Sequence, residues 1–167
     1  MLRKVATAQG LSLIHAEIIE YLGICNRYSN TMLAVAEYLG QTKGSISQSL
    51  LWLEKRSFIL RTLDKTDKRV MRLSLTPQGQ EVFQQINDFM PAADTVSEQA
   101  ESEFRRLLAV WRTETGLTGF GICHTCRHNE PMMLGKYRCG LTGEQLREKE
   151  VGQICREHAV LEVQPGI

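Results

Sequence analysis

The sequence predicts a mainly α chain with one small β-hairpin, an α+β class, ending in a small module stapled by a metal. Three observations carry this reading. Apolar residues recur at helical spacing through the first fifty-odd positions and again beyond residue 76. Two β-rich runs, 58–62 and 69–75, flank the polar loop 64–68. Four of the five cysteines fall after residue 122.

The hydrophobic and charged fractions, 43% and 23%, are those of a globular protein. No apolar run approaches membrane-span length, and Met1-Leu2-Arg3-Lys4 leads into no signal-peptide core, so a cytoplasmic protein with no membrane partner is expected. Net charge is only +1, but it is segregated. Residues 43–72 hold eight Lys/Arg against three Asp/Glu, whereas residues 76–104 hold six acids and no base. Such a split suits one surface that meets phosphate and another that does not.

In order along the chain, Leu11, Ile14, Ile18, Ile19 and Leu22 mark an amphipathic helix from about Ser12, with Gly23 expected to end it. Residues 26–30 form a polar turn. A short helix follows, capped by Thr31 or Asn30, with Val35, Ala36 and Leu39 inward and Gly40 as its stop. The next helix spans 41–56 with Thr42 as N-cap and Ile46, Leu50 and Leu53 on one buried face. So tight a Gly-containing junction makes the pair a helix-turn-helix, whose second helix enters the major groove. The same pattern also fits a plain αα-hairpin.

The outer, leading part of that second helix decides between them. It presents Thr42, Lys43, Gly44, Ser45, Ser47, Gln48 and Ser49, with no carboxylate before Glu54. An ordinary solvated face mixes in acids, whereas a face that meets phosphates and base edges excludes them. The two β-runs then read as a wing behind this helix, although 69–75 alternates imperfectly. Lys65, Lys68 and Arg69 lie at the wing tip, placed to flank the groove.

At these residues the chain resembles the MarR-type winged-helix transcriptional regulators, over roughly residues 11–108. The likeness rests on Val35-Ala36-Glu37-Tyr38-Leu39-Gly40, on Ser45-Ile46-Ser47-Gln48 with Leu53-Glu54, on Asp67-Lys68-Arg69, and on Leu75-Thr76-Pro77-Gln78-Gly79. It implies a DNA-binding regulator, most often a repressor, that binds a palindromic duplex site as a homodimer. It further implies that Ser47 binds phosphate, that the outer helix face reads bases, and that Arg69 enters the minor groove oriented by Asp67. An Arg beside an Asp in a tight hairpin is indeed held in one orientation.

Three positions depart from the family pattern. Ser57 stands where a glycine usually ends the recognition helix. Leu51 and Trp52 occupy commonly polar positions, with Trp52 expected as a phosphate-side or partner contact. Only about ten residues precede the Ser12 helix, where family members carry a long dimerising one, so a differently built dimer is expected.

Thr76-Pro77 opens the next helix, expected to run to about Met90. Another, over 97–112, carries Ala100, Phe104, Leu107, Leu108 and Trp111 on one stripe, which by resemblance pairs with its copy. The expected organisation is thus a winged helix-turn-helix DNA-binding domain at 1–78, a helical dimerisation and linker region at 79–115, and a cysteine-rich module at 116–167.

The third region has its own chemistry. Cys123-x-x-Cys126 and Cys155-x-x-His158 are chelating spacings, with Cys139 between them. About fifty residues with little apolar surface need a staple, and inside a cell a metal fits better than disulfides. The expected ligands are Cys123, Cys126, Cys139 and Cys155, with His158 as the rival fourth. His124 and His128 are left as neighbours or surface residues. Zinc is the expected metal and an iron–sulfur cluster the alternative, since spacing does not choose. A short helix opened by a Thr142…Gln145 capping box is expected over 142–150. Cys25 reads as a buried or incidental thiol and His15 as a packed or surface side chain.

Two other functions compete. One is an adaptor whose metal module binds protein while the winged helix is only scaffold, against which the basic helix face argues. The other is a redox enzyme using the Cys123/Cys126 dithiol, but that motif belongs in a βαβ setting this chain lacks. With no paired carboxylates, nucleophile elbow or phosphate-cradling loop, the sequence is expected not to encode an enzyme. The effector and operator sequence are not legible in it.

Overall fold

A computed structural model describes residues 2–88, 97, 99–100, 102–104, 106–107, 110 and 119–160. The chain divides into two compact units, Met1–Pro91 and Ala92–Ile167. No helix among the described residues is long and apolar enough to cross a membrane.

The first unit begins with α1 (Leu2–Ala8), an element the sequence did not foretell. Its seven residues bury only Val5 and Ala6, too little to give a helical period, and it closes on Gly10 at φ 64°. Helix α2 (Leu13–Ile24) buries Ala16, Ile18, Ile19, Tyr21 and Leu22. Gly23 does not end it. Its missing side chain instead admits the Phe83 ring from α5 (Pro77–Asn87). Gln9 Nε2 also donates to Gln85 Oε1 at 3.0 Å. The boundary expected at residue 78 therefore falls too early, because α5 is part of the first unit's core.

Helix α3 (Met32–Tyr38) starts at Thr31, whose hydroxyl accepts from Ala34 N at 3.3 Å. It ends on Gly40 at φ 62°, where Gln41 N turns back to Ala36 O at 2.9 Å. Helix α4 (Lys43–Lys55) starts two residues later on the expected Thr42 cap, which accepts from Ser45 N at 3.2 Å. Ile46, Leu50 and Leu53 are 0–1% exposed, each such burial worth roughly 1.5–3 kcal/mol.

The wing is a two-stranded antiparallel sheet of β1 (Ile59–Leu63) and β2 (Met71–Leu75), in register from Ile59↔Leu75 to Leu63↔Met71. Strand β1 is shifted one residue beyond the predicted 58–62, and β2 starts two residues into the predicted 69–75. Strand β2 is anchored to the α2–α3 turn by Leu73 N to Asn30 O at 2.8 Å and Asn30 Nδ2 to Leu73 O at 3.0 Å. Thr76 then caps α5 through Gly79 N at 3.1 Å, with Pro77 in its first turn. Beyond residue 88 the continuation expected to Met90 lies outside the described residues.

In the second unit, residues 99–100, 102–104, 106–107 and 110 are helical. Phe104, Leu107 and Val110 on this segment are 62%, 65% and 51% exposed, while Leu108 and Trp111 of the predicted stripe lie outside the described residues. Further on, β3 (Gly121–Ile122) pairs antiparallel with β7 (Ile154–Cys155), and β4 (Asn129–Pro131), β5 (Tyr137–Cys139) and β6 (Gln145–Leu146) make a three-stranded antiparallel sheet. The helix expected over 142–150 is corrected here. Gly143 at φ 73° makes a turn, residues 145–146 are strand, and only Glu148–Val151 is helical. The capping box is likewise not Thr142…Gln145. It joins Arg147 and Glu150, whose Oε2 accepts from Arg147 N at 2.9 Å.

Candidate nucleic-acid interface and cysteine cluster

Helix α4 turns its first two turns outward. Thr42, Lys43, Gly44, Ser45 and Gln48 are exposed, Ser47 is half-buried, and no acid stands in the first turn. Free N–H groups and the positive end of the helix dipole add to the Lys43 charge there. Ser49 is the exception among the predicted contacts. At 8% exposure it lies on the inward stripe with Ile46, Leu50 and Leu53, since i+3 from Ile46 returns to the buried face.

Trp52 does not serve as the outward contact expected of it. Its ring stacks on His15 of α2, with centroids 4.1 Å apart at 15°, and the Arg56 guanidinium lies 4.4 Å from its centroid. Phe58 stacks farther out at 6.5 Å. His15 is therefore a packing partner of α4. Partial burial first, then the Arg56 charge, lowers its pKa below the ordinary histidine value.

The helix ends at Ser57, which takes φ 60° in place of the usual glycine. Phe58 N reaches Leu53 O and Ser57 N reaches Glu54 O, both at 3.0 Å, which satisfies the last carbonyls. The turn fixes where the wing leaves the helix. An Arg61–Glu54 ion pair at 3.1 Å ties β1 back to α4.

At the wing tip Lys65, Lys68 and Arg69 are all exposed. The Arg69 side chain is 92% exposed, and it donates from both N and Nε to Asp67 Oδ1, at 3.0 and 3.2 Å. The expected orienting role of Asp67 has this geometry. Sequence reasoning missed Asp64 and Arg72. Asp64 Oδ1 accepts from Thr66 N, Thr66 Oγ1 and Asp67 N at 2.7–3.0 Å, so it shapes the loop that carries the basic tip. The available signal was an Asp two residues before a Thr, an Asx-turn pattern.

In the second unit Cys123, Cys126 and Cys155 are buried and Cys139 half-buried, all as free thiols. The Cys123 thiol is pushed up to about 11, first by burial and then by the charges of Cys155, Cys126, Cys139 and Glu150, so all three other cysteines lie within its electrostatic reach. Among the described residues, no group of three or more His, Cys, Asp or Glu side chains is placed to hold a metal ion. His158 Nε2 lies 3.0 Å from Thr125 Oγ1 and its ring covers Gly121. His124 is exposed, and Arg127 Nε reaches His128 Nε2 at 3.5 Å. Cys25, in the first unit, is buried, and its thiol is pushed up to about 12 by that burial.

With this geometry in hand, the fold is recognisable. The chain is similar to a MarR family transcriptional regulator from Silicibacter pomeroyi, 22% identical over 68% of this chain and 78% of that one, with a TM-score of 0.53. It is similar to a MarR/EmrR family regulator from Acinetobacter sp. ADP1, 22% identical over 69% and 86%, at 0.52. It also resembles CouR from Rhodococcus jostii RHA1 bound to p-coumaroyl-CoA, 17% identical over 71% and 83%, at 0.52. The chain matches no protein-family model and no curated protein. At these identities the likeness defines the fold, which is the winged helix of MarR-type regulators.

Proposed function

We propose that the chain is a sequence-specific DNA-binding transcriptional regulator of the MarR type, acting as a homodimer on a palindromic duplex site and repressing by occluding a promoter. One observation carries the reading. The acid-free, exposed start of α4 and the Asp67-held, 92% exposed Arg69 belong to one unit, a groove-reading helix with a minor-groove arm beside it. Thr42, Lys43, Ser45, Ser47 and Gln48 meet phosphates and base edges, and Lys65 and Lys68 flank them. Dimerisation is supported by Phe104 and Leu107, large apolar side chains left 62% and 65% exposed on a helical segment. Two-fold symmetry then sets the recognition helices about 34–36 Å apart. A signal that rotates the subunits slightly breaks this match and releases the DNA. The fold's known neighbours are regulators, and the reading assigns no catalysis.

Duplex binding measured against salt tests it. Parent protein should show a steep log–log loss with salt, and Lys43→Ala and Arg69→Ala should each bind more weakly with the fold intact. If both variants bind duplex as tightly as the parent, the reading is wrong.

A further inference from the structure

We infer that Cys123, Cys126, Cys139 and Cys155 bind one zinc ion as a tetrathiolate, and that this ion is what holds residues 119–160 together. The backbone has already done the gathering. A 3-10 turn at Cys123–Thr125 returns Cys126 N to Cys123 O at 3.0 Å, the bite of a chelating knuckle. The β3–β7 pairing sets Cys155 opposite Gly121, two residues before Cys123, and Cys123 N donates to Gln153 O at 3.0 Å. The β4–β5 pairing sets Cys139 opposite Asn129, whose N–H donates to Cys126 O at 3.0 Å. Pairings between distant residues thus set the four cysteines on adjoining stretches of backbone.

Ala159 N donates to Cys126 Sγ at 3.4 Å, a bond that stabilises negative sulfur. Cys139 heads a tight loop in which Gly143 N returns to Cys139 O at 2.7 Å. His158 Nε2 lies against the Thr125 hydroxyl, which fixes the ring beside the knuckle. The thiols do not yet stand as a finished group. With the backbone in place, each sulfur closes on an ion by rotation about its single χ1 bond. The ladders run directly beside the cysteines, including a Cys126↔Val160 bridge.

The module's interior supplies the independent argument. Its buried described residues are Cys123, Cys126, Leu146, Glu150, Val151 and Cys155, so half of this small core is cysteine and only two residues are aliphatic. With no disulfide among the described residues, apolar burial alone is too small to order so short a segment. A metal bound only in the folded form supplies the missing stability.

The test is metal and acid-labile sulfide analysis of the full chain, purified without air or chelator. About one zinc per chain and no sulfide are expected, with zinc lost from Cys123→Ser and Cys139→Ser and retained by Cys25→Ser. Because a ligand variant can lose metal simply by unfolding, the parent chain is also stripped and titrated with Co2+. The ligand-field bands of tetrahedral cobalt thiolate should appear and then bleach when Zn2+ is added. Iron with labile sulfide would overturn the single-ion site. A metal-free chain giving no cobalt–thiolate spectrum would overturn metal binding altogether. Zinc kept by Cys155→Ser but lost by His158→Ala would overturn the ligand set.

Discussion

Arg72 Nε donates to Asp64 Oδ2 at 2.7 Å while its Nη1 donates to the Arg27 carbonyl at 2.8 Å, so one guanidinium joins the loop end of the wing to the turn between α2 and α3. The other Asp64 oxygen shapes the loop ahead of Arg69. The Thr66 hydroxyl first, then Asp67 N–H, Arg72 and Thr66 N–H, hold the Asp64 carboxyl well below the usual range. Its contribution is therefore complete above the ordinary Asp pKa of about 4 and is lost only as pH falls through the lower folded value.

Asp64 and Arg69 should fail in distinguishable ways. On the proposed reading Arg69→Ala removes a nucleic-acid contact, so binding should weaken by about 1–3 kcal/mol and, where it touches phosphate, the salt slope should drop by about one. Asp64→Asn removes only the bracing, so binding should weaken with the slope unchanged. Equal slope changes in both variants would mean that Asp64 does not act through wing position.

Ser57 holds φ 60°, a conformation that costs a non-glycine residue roughly 1–2 kcal/mol. Ser57→Gly relieves this and loses about 0.5–1 kcal/mol to added chain entropy. A net gain of about 0.5 kcal/mol in denaturant unfolding is expected, and Ser57→Val should be less stable than the parent.

Gly79 is the third residue of α5, where a Cβ would strike the Phe58 carbonyl oxygen. Backbone cannot rotate aside as a side chain can. Gly79→Ala should cost about 2 kcal/mol or more in thermal unfolding, at the upper end of overpacking effects. An alanine variant as stable as the parent would show that α5 and the α4–β1 turn shift freely against each other.

The lowered His15 pKa gives a pH dependence of defined sign. In the unfolded chain this histidine takes its proton near pH 6.5, before the folded form does. Its contribution is full above that value and declines as pH falls through it toward the folded pKa. Stability should thus drop in the parent as pH falls below about 6.5, and this component should vanish in His15→Phe, which keeps a ring on Trp52.

Much of the first unit was legible because its signals are local. Thr42, Thr31 and Thr76 cap the helices they precede, and Ile46, Leu50 and Leu53 are buried as their spacing requires. Ser57 likewise adopts the helix-stop geometry its position demanded. The misses share another cause. Ser49 was assigned outward by residue type, although its helical angle places it inward. Gly23 was read as a stop because its packing against Phe83 depends on a helix sixty residues away. The 142–150 segment follows strand pairing with Tyr137 and Arg138, which no local pattern encodes.

Trp52 projects from α4 onto His15, and the chain has only one other tryptophan, Trp111. Indole emission is sensitive to a neighbouring imidazole and guanidinium, so the stack makes the chain its own optical gauge. With Trp111→Phe removing the second emitter, any shift of α4 against α2 on meeting duplex would register as a change in intensity or colour, with no dye attached.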